Sequence, residues 1–377
     1  MIDWEAVCAR DGISWYLMTS HGISLHLTAP SSEPPPGEEL DRDTENRMIE
    51  LDPKHDRFLQ PLMATLEQVA AIFERQLASE FPAVESLCSH VSRYRGKMLR
   101  PTLTLLSGVA AADGDLGVLE SDDLRRLSAV FEMIHMATLV HDDVLDEADQ
   151  RRGGETVNRL NDNETAVMLG DYLISNAFHL AATIGDADLT ERIGRVTNTL
   201  CEGELIQLHH RDDLGLDLET YLATIRRKTA VLVGACGQLG ARVAGGTEET
   251  AAALGIFGEH LGVAFQIRDD VFDLEGETEV VGKSVGRDLA KGKLTLPMII
   301  LLDSAETVTF ADAVEAFRQR DASAVLQLLR DADATGKAIA FAVEQVEAAK
   351  SAIEGLPLGG TEDLLRDLAD SVVDRNH

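Results

Sequence analysis

The chain has 377 residues, and 34 Lys and Arg against 65 Asp and Glu give it a formal net charge of −31 at pH 7. That charge argues against a nucleic-acid binder, which needs a basic footprint on the phosphate backbone, and against docking on anionic lipid. An apolar content of 45% excludes a mainly disordered chain.

Residues 1–47 differ from the rest. They hold both tryptophans, Trp4 and Trp15, an alternating strand-like run from Ile23 to Thr28, and the extended linker Pro34-Pro35-Pro36. Met1-Ile2-Asp3-Trp4-Glu5 lacks the basic start of a secretory signal. The segment reads as a poorly ordered extension, or as a misassigned start ahead of Met48. From Met48 to His377 the expectation is one large all-α domain, a helical bundle of about ten to thirteen helices. Eight of the ten prolines lie within the first 101 residues, and none occurs from Thr102 to Leu296, so long helices run there without a breaker.

Apolar residues step at helical spacing through Leu124, Leu127, Phe131, Ile134 and Thr138, and again through Leu189, Ile193, Val196 and Leu200. Gly153-Gly154, Gly185-Asp186, Gly215-Leu216-Asp217 and Gly245-Gly246-Thr247 mark the breaks, with Thr247 as an N-cap. No apolar run is long enough to span a bilayer. Cys8, Cys88, Cys201 and Cys236 lie far apart, as expected of reduced thiols in a cytoplasmic protein rather than a zinc site or disulfide framework.

Two clusters share the pattern D-D-x-x-D: Asp142, Asp143 and Asp146, then Asp269, Asp270 and Asp273. On a helix this spacing gathers three carboxylates to one side, where they repel unless a cation sits among them, and hard oxygen donors suit Mg²⁺. The alternative is a solvated acidic face. It fits poorly, because largely apolar helix leads into each cluster, Phe131 to Val140 and Leu261 to Ile267. Mg²⁺ on two facing carboxylate helices completes its shell with substrate phosphate. Four Gly-flanked basic stretches supply counter-charge: Gly96-Lys97-Met98-Leu99-Arg100, Arg151-Arg152-Gly153-Gly154, Gly282-Lys283-Ser284-Val285-Gly286-Arg287 and Lys291-Gly292-Lys293. Two diphosphates are the implied ligands, one bridged by metal and one held by cations directly.

These motifs, with Glu132-Met133-Ile134-His135, Leu169-Gly170-Asp171, Glu202-Gly203-Glu204, Lys228-Thr229, Phe265-Gln266 and Lys293-Leu294-Thr295-Leu296-Pro297, resemble the trans-polyprenyl (isoprenyl) diphosphate synthases over about residues 55 to 377. The resemblance implies an isoprenoid synthase fold, a helical bundle around a central reaction channel. It also implies a cytoplasmic, homodimeric prenyltransferase that condenses isopentenyl diphosphate with an allylic diphosphate. Asp142, Asp143, Asp146, Asp269, Asp270 and Asp273 would bind three Mg²⁺ ions bridging the allylic diphosphate. Arg151, Lys228, Lys283 and Lys293 would hold that diphosphate; Lys97, Arg100, His135 and Arg152 would bind isopentenyl diphosphate; Thr229 and Gln266 would line the site of developing positive charge. The chain departs from the family pattern at Arg95-Gly96-Lys97-Met98, where Gly-Gly-Lys and a further basic residue are usual.

Ala137 and Thr138 are small where short-chain members often carry an aromatic, and the first cluster has no insertion. Both features resemble the longer-chain synthases that make quinone side chains, with Phe131 as a candidate channel floor or a core aromatic. The alternatives are a short-chain farnesyl or geranylgeranyl diphosphate synthase, a terpene cyclase, or a non-catalytic subunit of a heteromeric synthase. A cyclase's second motif is typically of Asn/Ser/Glu type, and a non-catalytic subunit tends to lose one aspartate motif. This chain keeps both.

Overall fold

Prolines and polar caps set the helix starts. A computed structural model describes residues 55–92, 94, 96, 98–151, 154–275, 286–304 and 307–373, all within one compact unit, Glu45–His377. The N-terminal segment, with its strand-like run, lies outside the described residues. Helices α1 (Asp56–Leu77), α2 (Pro82–Ser92) and α3 (Leu99–Ala111) come first. Pro82 opens α2 and Pro101 sits in the first turn of α3, where a missing N–H breaks no ladder.

Ser121 starts α4 (Asp122–Leu145), its Oγ accepting from Leu124 N at 3.4 Å. Asp162 caps α5 (Asn163–Thr183) at 2.6 Å and Asp186 caps α6 (Ala187–His209) at 3.0 Å. Asp217 caps α7 (Leu218–Ile225) at 2.7 Å. The chain then passes through a π-turn, Arg226–Ala230, into α8 (Val231–Val243). The Thr247 hydroxyl accepts from Thr250 N at 3.1 Å and starts α9 (Glu248–Glu275), as the sequence predicts. The bundle closes with α10 (Leu296–Ser304), α11 (Thr307–Arg318), α12 (Ala322–Asp331), α13 (Ala334–Ala352) and α14 (Glu362–Val373). Among the described residues a single two-stranded ladder, β1 (Gln150–Arg151) antiparallel to β2 (Gly154–Glu155), interrupts the helices, and the fold is all-α as expected.

Helix α4 is buried on nearly every side over its middle, with Leu124, Leu127, Phe131 and Ile134 at 0–1% exposure. Each such side chain contributes about 1.5–3 kcal/mol by leaving water. α3 and α5 pack against α4, α8 against α3, and α13 covers α9. The tightest pair is α8 with α9: a Cβ added at Gly237 would lie 2.1 Å from the Leu254 carbonyl oxygen, and one at Gly258 would lie 2.5 Å from that of Val233. Among the described residues no helix is long and apolar enough to cross a membrane.

Glycine-to-alanine substitution therefore has opposite signs at two helix sites. Gly237→Ala is expected to lower stability by about 1–3 kcal/mol through overpacking. Gly194→Ala, whose nearest neighbour is 4.0 Å away, is expected to raise it by about 0.4–1 kcal/mol. Denaturant melts of the two variants check the contrast.

Candidate active site

A cavity of about 1020 Å³ lies between α4, α6 and α9, at the upper end of the ~300–1,000 Å³ range of small-molecule clefts. Its apolar part is walled by Ile134, Thr138, Ile174, Thr197, Cys201 and Leu205, and its charged part by the two aspartate clusters and the cations around them. Arg100, His135, Asp142, Asp146, Arg151, Lys228, Thr229, Gln266, Asp269, Asp273 and Lys293 all line it. Lys97, Arg152 and Lys283 lie outside the described residues.

At the C-terminal end of α4, Asp142 and Asp146 face the cavity, whereas Asp143 is 1% exposed and turned inward. Its Oδ1 accepts from Arg151 Nε at 2.8 Å and pairs with Arg151 Nη2 at 2.8 Å, while Oδ2 is buried with no partner. The hairpin delivers Arg151, and it is anchored from behind. Tyr94 OH accepts from Val157 N at 3.1 Å, Asn158 Nδ2 donates to the Asp143 and Ala148 carbonyls at 3.3 and 3.2 Å, and His90 bonds the Glu155 carbonyl at 2.8 Å. Burial pushes Asp142 up to about 6, opposed in part by the Lys228 ammonium. Burial raises Asp143 as well, against the pull of Arg151.

The second cluster repeats this division on α9. Asp269 is exposed and Asp273 lines the cavity, but Asp270 is 1% exposed. Its Oδ2 accepts from Tyr221 OH at 2.7 Å, and its Oδ1 from Gln266 Nε2 at 2.9 Å and Lys293 Nζ at 3.2 Å. Asp273 accepts from Asp288 N at 3.0 Å and approaches Arg287 Nε at 3.7 Å. Burial, reinforced by the Asp288 charge, raises Asp273 to about 6. Burial alone would lower Lys293, yet Asp270 and Asp288 outweigh it and hold the ammonium protonated. Lys291 Nζ reaches across to Asp146 at 3.2 Å.

Of the six aspartates expected at the metal site, Asp143 and Asp270 are buried against protein donors, Arg151 on one side and Tyr221, Gln266 and Lys293 on the other. Among the described residues no three His, Cys, Asp or Glu side chains converge closely enough to hold an ion. The outer pairs Asp142/Asp146 and Asp269/Asp273 remain as hard-oxygen donors at the cavity.

The π-turn carries Lys228 and Thr229, with Val231 N donating to Arg226 O. α6 presses directly on it: a Cβ at Gly203 would lie 2.4 Å from Lys228 N. That contact explains the glycine of Glu202-Gly203-Glu204 and brings Glu204 to Lys228, with Oε2 and Nζ 2.5 Å apart. Burial would lower Lys228, but Asp142 and Glu204 outweigh it and leave the ammonium above its usual range. Thr229 Oγ1 donates to Gln266 Oε1 at 2.7 Å, and the Gln266 amide then donates to Asp270, so the pair expected to face positive charge is locked in one orientation.

Arg100 and His135 mark another part of the wall, with Arg100 Nε buried and without a partner. Burial lowers Arg100 from its ordinary value while the Glu132 charge opposes the shift. Ala137 and Phe131 pack in the core at 0% exposure and do not line the cavity; Thr138 and Ile134 do. Sequence reasoning missed Tyr221, placed Arg287 in a basic stretch without giving it a role, and left His141 unassigned. His141 bonds the Val167 carbonyl at 3.1 Å and lies 3.6 Å from Asp171. A Cβ at Gly170 would fall 2.1 Å from its Nε2, which accounts for Leu169-Gly170-Asp171.

The family model for polyprenyl synthetase matches residues 81–331. The chain belongs to the polyprenyl synthetase family. It is accordingly an isoprenoid-synthase-fold enzyme, a prenyltransferase. It is 36% identical over 306 residues to the octaprenyl diphosphate synthase of Haemophilus influenzae, covering 80% of this chain and 91% of the relative. Among solved structures, a decaprenyl diphosphate synthase from Rhodobacter capsulatus superposes with a TM-score of 0.78 at 33% identity, covering 86% of this chain and 99% of that one. A polyprenyl synthase from Caulobacter crescentus, complexed with calcium and isoprenyl diphosphate, superposes with a TM-score of 0.77 at 30% identity, covering 85% and 98%.

Asp142 and Asp273 near 6 give this polyprenyl synthetase site a definite pH response. A cation held at these carboxylates would prefer their ionised forms, so its binding is expected to weaken as pH falls through 6. Mg²⁺ affinity, measured by calorimetry in the presence of inorganic pyrophosphate, is expected to rise about tenfold from pH 5.5 to 7.5. A flat profile would contradict the assignment.

Proposed function

We propose that this prenyltransferase condenses isopentenyl diphosphate with an allylic diphosphate in trans, repeatedly, to a medium or long polyprenyl diphosphate of quinone side-chain type. The observation that carries the reading is the pair of acidic rims, Asp142/Asp146 and Asp269/Asp273, at the charged end of an apolar cavity. The octaprenyl and decaprenyl synthases that the chain resembles support the longer product. Mg²⁺ fits the donor set: four hard carboxylates, with substrate oxygens to complete each shell. By resemblance the number of ions is three. When bound, Mg²⁺ would supply Lewis-acid stabilisation of the departing pyrophosphate.

The chain's own residues then divide the work. Lys228, Lys293 and Arg151, with Lys283, hold the allylic diphosphate. Arg100 and His135, with Lys97 and Arg152, hold isopentenyl diphosphate. The allylic C–O bond breaks with its electron pair leaving on pyrophosphate. The alkene carbon attacks the cation, and the proton lost from the adduct passes to pyrophosphate. Thr229 and Gln266 offer oxygens to the cationic carbon, and the apolar wall keeps water away.

Growth runs along α4, one turn advancing about 5.4 Å, past Thr138 toward Ile134. Val167 and Met168, at 41% and 64% exposure on α5, support a homodimer through that helix. Cys88, Cys201 and Cys236, free of disulfides among the described residues, are consistent with a cytoplasmic setting.

Incubation with isopentenyl diphosphate, Mg²⁺ and allylic primers of increasing length, followed by chromatography, tests the reading; no elongated product with any primer would refute it. Asp142→Ala and Asp269→Ala are each expected to lower turnover by several orders of magnitude with the fold intact. Thr138→Phe is expected to shorten the product. Phe131→Ala is expected to cost about 3–5 kcal/mol of stability, as for a core aromatic, with product length unchanged.

A further inference from the structure

We infer that residues 209–213, the turn that ends α6, brace the two acidic rims at a fixed spacing, with Arg211 and Asp212 as its positioning residues. The inference rests on the synthase reading above and extends it to side chains outside the cavity wall.

The rims belong to α4 and α9, helices separated by the cavity. Lys291 to Asp146 is a direct ion pair across them, but both of its members line the site and are available to substrate. The turn is closed from within: the Asp213 carboxylate accepts from His210 Nδ1 at 2.7 Å and from Gly215 N at 2.9 Å. From this turn Arg211 Nη2 donates to the Leu145 carbonyl at 3.3 Å. Leu145 is the last residue of α4, directly before Asp146, and its carbonyl is among those a helix end leaves without an internal partner.

Asp212 holds the opposite rim. Its backbone N donates to the Gly292 carbonyl at 2.8 Å, at the centre of Lys291-Gly292-Lys293. Its φ of 62° is one that aspartate tolerates. The Asp212 carboxylate pairs with the Arg320 guanidinium. Arg320 is itself fixed, donating to the Phe317 carbonyl at 3.1 Å and lying 4.9 Å over the Phe317 ring. Gly292 has a φ of 73°, and a Cβ there would fall 2.2 Å from Asp212 Oδ1. Only glycine permits the approach.

Arg211, Asp212 and Arg320 do not line the cavity, so they act through Asp146 on one rim and through Lys291 and Lys293 on the other. An exposed ion pair adds little to global stability. A misplacement of about 1 Å at a reacting centre, by contrast, can cost about 10²-fold in rate. The consequence of losing the brace is therefore poor capture of the metal-bridged diphosphate, with stability nearly unchanged.

The test is Arg211→Ala and Asp212→Gly, singly and together, in the full chain; glycine at 212 removes the carboxylate without straining the backbone. In the double variant the KM for the allylic diphosphate and the Mg²⁺ concentration for half-maximal activity are expected to rise about tenfold, while the KM for isopentenyl diphosphate stays within about twofold. Independently of turnover, the rise in melting temperature produced by Mg²⁺ with inorganic pyrophosphate is expected to shrink, with the unliganded melting temperature unchanged. Wild-type values throughout would overturn the brace, as would a parallel rise in both KM values with a lowered unliganded melting temperature. Should the double variant fail to fold, the single variants are read against the same criteria. An active, responsive wild type beside unaffected variants removes the brace alone, whereas a wild type that makes no product and shows no shift removes the synthase reading and the brace with it.

Discussion

An ionised carboxylate inside a helical bundle is tolerated only where donors meet it, and the cavity of this polyprenyl synthetase is organised by that constraint. Asp143 is met by Arg151, and Asp270 by Tyr221, Gln266 and Lys293. Both carboxylates are buried, and both lock a cation into the wall. The outer aspartates of each cluster line the cavity instead, so one short motif supplies a buried anchor and two carboxylates at the wall. Removing a partner from either anchor leaves a buried charge uncompensated, a larger disturbance than the loss of one contact.

Much of this was legible in the residues themselves. The clusters, the basic loops, the breaks at Gly185-Asp186 and Gly215-Leu216-Asp217 and the cap at Thr247 follow from spacing and residue type, whereas Arg100, His135, Thr229 and Gln266 are expected at the site from the family resemblance. The inward turn of Asp143 and Asp270 follows from spacing too, though a coarse reading overlooks it. At 3.6 residues per turn the first and last aspartates differ by about 40° around the axis, and the middle one stands about 100° from the first. What spacing withholds is the partner. Tyr221 lies 49 positions from Asp270, and nothing local to either residue announces the pair. Phe131 was ambiguous for the same reason, because periodicity gives the face of a helix and not what lies opposite.

Gly203, Gly170 and Gly292 share a further property. Each is required by something far away in sequence: a π-turn, a histidine ring, a carboxylate. The motifs around them look like active-site signatures, yet these glycines make room for the groups that position the site. The hairpin carrying Arg151 has no signal in the sequence because two-residue strands have no periodicity to read. It is held by Tyr94 and Asn158 rather than by strand propensity.

The contact between Lys228 and Glu204 has a bearing on selectivity. The ammonium faces the cavity with a carboxylate already upon it, at 2.5 Å, so an entering anion competes with a resident one. A singly charged anion that displaces Glu204 exchanges like for like and gains little. A diphosphate brings more charge and more oxygens than it removes, and gains by the exchange. With Glu204 in place, exchange at Lys228 favours an anion of higher charge, whatever hydrocarbon it carries.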